Sequence, residues 1–325
     1  MGLAIPKCDY VKAIGDDDFS FFARNGYLII KNPFGDELID ELAEWTRKSF
    51  WDENGILKDL RTQDEWLKVP AVKKLATHPT IMAKVEELYG RKPIPFQTLN
   101  FPVGTQQNTH SDTIHFHSFP QRWMCGVWVA FEDITPLNGP LHYYPGSHRL
   151  PIIELEDAGV DVAEHQDGEE HLTQNQRMYR KYELAIQELL DEAGIEREIL
   201  CVEKGDVLIW AANLLHGGSK IEQEGTTRMS QVTHYYFEDC RYFTPLLSDM
   251  QRGKFFYRNN VLNIENNEPV GQFFDIPGVN APVQEAQTVV DTMEPAASEP
   301  QAHAQANGQA SLLRRGVRKI LRILR

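Results

Sequence analysis

A chain of 325 residues, 42% hydrophobic and 25% charged, can bury the core of one large domain or of a domain with appendages. Its formal net charge of −14 disfavours general nucleic-acid binding, because phosphate backbones attract basic faces. No apolar run approaches the roughly 18 residues of a membrane-crossing helix, which excludes an ordinary span.

Four scattered cysteines, Cys8, Cys125, Cys201 and Cys240, form no C-x-x-C pair. Neither a zinc ribbon nor a redox dithiol is indicated, and free thiols in a reducing cytoplasm are the expectation. Met1 to Tyr10 lacks the charged start and apolar run of a signal peptide, and Pro6 stands where a myristoylation signal wants Ser or Thr.

Taken in chain order, Asp16, Asp17 and Asp18 can cap a short helix carrying Phe19, Phe21 and Phe22. Gly26 breaks it, and Tyr27 to Ile30 is a short β-type run. Helical spacing returns from Asp36 to Phe50 through Leu38, Leu42 and Trp45. From Pro93 the pattern becomes short strands, clearest at Gln97 to Phe101, Met124 to Phe131 and Leu141 to Tyr144, with turn clusters at Asn138-Gly139-Pro140 and Pro145-Gly146-Ser147. Residues 152–199 are acidic and then helix-like from Gln174 to Ala193, which reads as a helical insertion and as a candidate lid. Strands resume at Asp206 to Trp210 and Met229 to Phe237.

The fold class expected is mainly β with flanking helices (α+β): a double-sheet barrel or jelly roll bearing a helical insertion. The division expected is a domain over residues 1–275, a flexible linker over 276–311 and a basic amphipathic helix over 312–325. The last segment carries Arg314, Arg315, Arg318, Lys319, Arg322 and Arg325 with no acidic residue. Docking on an anionic membrane surface and docking on a protein partner are both open to it.

Chemistry concentrates first at His110-Ser111-Asp112. On a strand, side chains at i and i+2 share a face, so an imidazole and a carboxylate would converge. A second imidazole would complete a facial triad that leaves open positions on iron. His216 supplies it, at the end of a strand-like run and before Gly217-Gly218. Twelve residues on, Arg228 and Ser230 share a face by the same rule, and a guanidinium beside a hydroxyl can grip the far carboxylate of a dicarboxylic cosubstrate.

With these residues in place the chain resembles the phytanoyl-CoA dioxygenase-like branch of the iron(II)/2-oxoglutarate oxygenases. The resemblance rests on His110-Ser111-Asp112, on Gly126 to Asp133, on Asn138-Gly139-Pro140-Leu141 with Pro145-Gly146-Ser147-His148-Arg149, and on Leu215-His216-Gly217 with Arg228. Phe22 to Ile30, around Asn25-Gly26-Tyr27, also looks like the family's opening helix and strand. The order and spacing fit across roughly residues 15–250.

It implies a double-stranded β-helix in which His110, Asp112 and His216 bind Fe(2+). Arg228, with Ser230, would hold 2-oxoglutarate, and Trp128 and Asn100 would lie near that cosubstrate. Dioxygen is then the other cosubstrate, and the implied reaction hydroxylates a C–H bond of a small or lipid-like metabolite, releasing succinate and CO2. Gly218 departs from relatives that carry Ser or Thr there. Halogenating relatives lack the carboxylate, so Asp112 implies hydroxylation.

Other readings stay beside this one. A jelly-roll metal enzyme that does not use 2-oxoglutarate, or a silent binding protein recruited by its tail, would share the fold. His115 and His117 could be substrate contacts or support the site, although an unbroken strand would turn them away from His110. His148, Arg149, Trp123, Trp210 and Tyr235-Tyr236 read as structural, His142 as core or pocket wall, and His234 as a satisfied core histidine.

Overall fold

The computed structural model describes residues 17–161 and 171–272. Helix α1 (Asp18–Asn25) starts where the Asp17 carboxylate accepts from Ser20 N at 2.7 Å, and it ends at Gly26 with φ +80°. Only glycine suits that position, since the left-handed backbone disfavours a side chain and a Cβ would enter the His148 ring. His148 Nε2 donates to Ala23 O at 3.0 Å, and Gly146 N donates to Asn25 O at 2.8 Å. The Pro145 to Arg149 turn therefore anchors the opening helix, a structural role as expected.

Strand β1 (Tyr27–Ile30) and helix α2 (Asp36–Phe50) follow as the spacing predicts. Three further elements stand where no periodicity was singled out: β2 (Thr62–Gln63), α3 (Pro70–Ala76) and α4 (Pro79–Tyr89). The chain continues through β3 (Pro93–Phe101), β4 (His117–Phe119), β5 (Met124–Ala130) and β6 (Leu141–Tyr143). After α5 (His171–Ala193) come β7 (Glu198–Ile199), β8 (Val207–Ala211), β9 (His216–Gly218), β10 (Ser230–Phe237) and β11 (Arg241–Phe243).

The strands form an antiparallel six-stranded sheet in the order β1-β8-β5-β10-β3-β2, a smaller sheet β7-β6-β9, and the pair β11-β4. This is the expected jelly roll. The two larger sheets face each other, with Tyr27 4.5 Å from Tyr143 and Trp210 5.0 Å from His216 between ring centroids.

Register decides which side chains enter the space between them. Opposed residues share a face. Trp128 pairs with Val232 and Leu208, and Gly126 with His234 and Trp210, so these point inward. The alternate set, including Gln231 and Tyr235, points to the helices: Tyr235 OH donates to Ala76 O at 2.7 Å and Gln231 Nε2 to Val72 O at 3.2 Å.

Helix α5 builds a second apolar core with Ile153, Leu155, Ile114 and Leu215, through Met178, Tyr182, Ile186 and Leu189. Cys125 and Cys240 are free and buried as expected, whereas Cys201 is disulfide-bonded, against the expectation. Residues 276–311 and 312–325 lie outside the described residues. Among those described, no helix is long and apolar enough to cross a membrane.

Candidate active site

His110 and His216 are brought together by the backbone itself. His110 N donates to His216 O at 2.9 Å and His216 N returns a bond to His110 O at 3.0 Å. The expectation that His110 and Asp112 alternate along one strand is replaced by a sharper device. His110 sits in that isolated bridge, and Asp112 leads a 3-10 turn, Asp112–Ile114, capped by Ser111. His216 likewise opens β9 rather than preceding a turn.

The three side chains are buried, and their ligand atoms lie within 4.8 Å of one another. Each imidazole Nδ1 faces a carbonyl, His110 that of Asn108 and His216 that of Leu214, both at 2.9 Å. A carbonyl only accepts, so Nδ1 carries the proton and Nε2 presents a lone pair. Asp112 Oδ2 accepts the Trp210 indole N–H at 2.7 Å, which leaves Oδ1 3.8 Å from each Nε2. Burial pushes both imidazoles down to about 4, so they are neutral donors at neutral pH. The donor set thus fits a divalent metal, with every outer atom already committed.

Arg228 lies deeper on the same inner face, 1% exposed, with its Nε and Nη1 buried and without a hydrogen-bond partner. Its Cζ is 5.9 Å from the Phe101 ring and 5.7 Å from that of Trp128, whose own N–H is also unpartnered. Burial lowers the guanidinium to about 10, opposed by the Glu132 charge, so it stays cationic at neutral pH. A buried cation with idle donors calls for an anionic oxygen ligand. Ser230 pairs with Phe101 and Ala130 on this inner face, and its hydroxyl donates to Arg228 O at 3.5 Å.

Asn100 is a correction. It registers with Gln231 on the helix-facing side, where its Nδ2 donates to Gln231 Oε1 at 3.2 Å. It therefore lines no part of the pocket, because a one-residue offset along a strand changes the face.

His115 and His117 also separate. His117 lies in β4, with its Nε2 3.9 Å from Glu154, away from the triad. His115 is half-buried, 5.2 Å from the Tyr179 ring. His142 is pinned between Thr109 Oγ1 at 2.8 Å and Ser219 Oγ at 3.3 Å. His234 reaches Gln97 Oε1 at 2.9 Å. The Gly218 departure has a packing cause, since a Cβ there would strike Thr105 Oγ1 and the backbone of Gln106 and Gln107.

Sequence reasoning missed Trp210, read as packing, and Gln107, whose Nε2 lies 3.4 Å from both His110 Nε2 and Tyr179 OH. Neither carries a periodic signal. The insertion buttresses the triad's chain segment: Tyr182 OH donates to Ser111 O at 3.4 Å, and Asn108 Nδ2 donates to Glu183 at 3.2 Å.

Comparison with known proteins agrees with this architecture. The phytanoyl-CoA dioxygenase (PhyH) family model matches residues 22–229. Peroxisomal phytanoyl-CoA dioxygenase of Bos taurus is 25% identical over 254 residues, 68% of each chain. Ectoine dioxygenase of Halomonas elongata is 25% identical over 189 residues, 56% of this chain and 54% of that one, so the chain spans about half of its length. Among solved structures, the epimerase SnoN from nogalamycin biosynthesis, in complex with Fe3+, alpha ketoglutarate and nogalamycin RO, shares the fold. It is 19% identical, covers 84% of this chain and 95% of that chain, and has a TM-score of 0.55. EctD from S. alaskensis with bound Fe is 17% identical over 74% of this chain and 84% of that one, with a TM-score of 0.51.

Proposed function

Because the chain belongs to the phytanoyl-CoA dioxygenase family, a family of iron(II)- and 2-oxoglutarate-dependent enzymes, we propose that His110, Asp112 and His216 hold the iron and that the protein hydroxylates a C–H bond of a small or lipid-like metabolite. The observation that carries this reading is the pairing of a buried His/Asp/His cluster with Arg228, a buried cation whose donors are idle on the same inner face. We read residues 1–275 as the oxygenase domain.

When bound, iron with 2-oxoglutarate and dioxygen supplies the oxidising chemistry, and 2-oxoglutarate leaves as succinate and CO2. The chain's own residues prepare the site. Asn108 O and Leu214 O lock the imidazole tautomers, and Trp210 aims Asp112 Oδ1 at the two Nε2 atoms. Arg228 holds the distal carboxylate of the cosubstrate, Ser230 lies beside it, and the Trp128 N–H adds a donor. The enclosing aromatic walls exclude water, which strengthens each of these charge contacts.

The test is anaerobic titration with iron(II) and 2-oxoglutarate, followed by an aerobic assay for succinate. Wild type binds both ligands and forms succinate, while Asp112→Ala loses iron and Arg228→Gln loses 2-oxoglutarate. Equal iron binding by wild type and Asp112→Ala would remove the assignment.

A further inference from the structure

Helix α5 sends a polar side chain to the edge of the triad. Gln107 Nε2 lies 3.4 Å from His110 Nε2 and 3.4 Å from Tyr179 OH, so a single amide links the triad to the insertion. The Tyr179 ring is packed by two others, 5.2 Å from that of His115 and 5.9 Å from that of Tyr182. The next turn of the helix fixes its position. Tyr182 OH donates to Ser111 O at 3.4 Å, and Glu183 accepts from Asn108 Nδ2 at 3.2 Å.

Hydrogen-bonding capacity is left over here. Among the described residues nothing accepts the Tyr179 O–H, whose oxygen receives the Gln107 amide. Burial keeps the phenol protonated, and a hydroxyl proton shielded from water calls for an acceptor. His115 makes no side-chain hydrogen bond to any described residue, and burial pushes its imidazole down to about 3, so it is neutral. Gln107 adds a third group. The His110 lone pair that it faces is the one iron takes, so its N–H is released once the metal is bound.

We infer that Tyr179, with Gln107 and His115, receives an uncharged oxygen of the substrate, that of a hydroxyl or carbonyl group, and so sets which neighbouring C–H bond faces the triad. The inference rests on the oxygenase reading and adds to it a specificity-determining residue and a substrate class. All three groups are uncharged. An ammonium offers no acceptor to the Tyr179 and Gln107 donors. An anion would meet the carboxylates of Glu183 and Asp112, whose charges both act on Tyr179. The charges of Arg258 and Arg61 reach His115, but Arg258 also donates to Thr244 Oγ1 at 3.4 Å and acts on the Asp64 carboxylate. A site built to hydrogen-bond an oxygen rejects the analogue that lacks it, because its donors are then left unpaired.

The experiment is equilibrium dialysis of the full-length protein, loaded anaerobically with iron(II) and 2-oxoglutarate, against a metabolite extract, with the retained species identified by mass spectrometry. Retention is counted per loaded site. Wild type should retain a species about three- to tenfold better than Tyr179→Phe, the scale of one neutral hydrogen bond. His115→Phe, which keeps a ring against Tyr179, should lower retention as well. The identified species is then dialysed as a set of analogues, each lacking one uncharged oxygen. One analogue should bind wild type and Tyr179→Phe alike, a result that mere displacement of the helix would not produce. If Tyr179→Phe fails to fold, His115→Phe carries the same comparison.

Equal retention by wild type and the tyrosine variant overturns the inference. So does a retained species whose oxygens are all carboxylate or phosphate, a set of analogues that all still favour wild type, or no retention by wild type. Failure of the oxygenase reading is visible separately, as loss of 2-oxoglutarate from wild type or its unchanged retention by Arg228→Gln.

Discussion

The indole N–H of Trp210 donates to Oδ2 of Asp112 across 2.7 Å, joining residues 98 positions apart in the chain. Room for that indole comes from a third residue. Gly126 registers directly opposite Trp210, and a Cβ at Gly126 would penetrate the indole ring. A glycine in one strand thus sets the rotamer of a tryptophan in the next, which sets the free oxygen of a candidate ligand.

Trp210→Phe should therefore fold but bind iron about 10- to 100-fold more weakly, the usual cost of deleting a hydrogen bond that orients a ligand. Gly126→Ala should weaken iron by displacing the same indole, with an added loss of stability from overpacking of about 1–3 kcal/mol. Anaerobic iron titration and thermal melting separate the two effects. Unchanged iron affinity in Trp210→Phe would refute the role of the indole.

Arg228→Gln removes a buried cation whose Nε and Nη1 have no other partner. The KM for 2-oxoglutarate should rise by about 2–5 kcal/mol in equivalent free energy, while iron affinity stays as in wild type. The split between the two ligands is the decisive readout, since simple misfolding would lower both.

The metal-free protein should lose stability in mild acid. Burial pushes His117 and His234 down to about 4 and His142 to about 3. Between their ordinary values and these, the unfolded chain binds protons that the folded chain refuses. Stability therefore rises with pH through that window and falls as acid is added, by up to about 1.4 kcal/mol per pH unit for each group. Glu154, pushed up to about 7 by burial and by Glu156 and Asp157, acts in the opposite direction above its ordinary value and offsets one of the three. Urea midpoints at neutral pH and near pH 5 should show the net fall, and His234→Gln should flatten it.

Gly26→Ala combines a φ of +80° with a collision against His148. A loss of about 1–3 kcal/mol is expected, read as a lower Tm with unaltered iron affinity. A stable Gly26→Ala protein would mean that the turn carrying His148 is free to move away from α1.

Much of this protein was readable from residue order alone. Strands β1, β5, β8 and β10 and helices α1, α2 and α5 announce themselves by apolar periodicity and by caps, because burial on one face imposes a period on any amphipathic element. His110, Asp112, His216 and Arg228 stand out in the sequence because metal and carboxylate chemistry demands particular side chains whatever their surroundings. Helices α3 and α4, each begun by a proline, gave no such announcement.

What only the tertiary structure decided was facing. Asn100 and Trp128 were equally plausible along the chain, and sheet register put them on opposite faces. Trp210 looked like packing until folding brought Asp112 to its N–H, and His115 and His117, two residues apart, went to different neighbourhoods. Residue type is local information and survives in the sequence; the face a side chain takes depends on which strand lies opposite and in what register, a relation between distant segments that exists only after the sheets have paired.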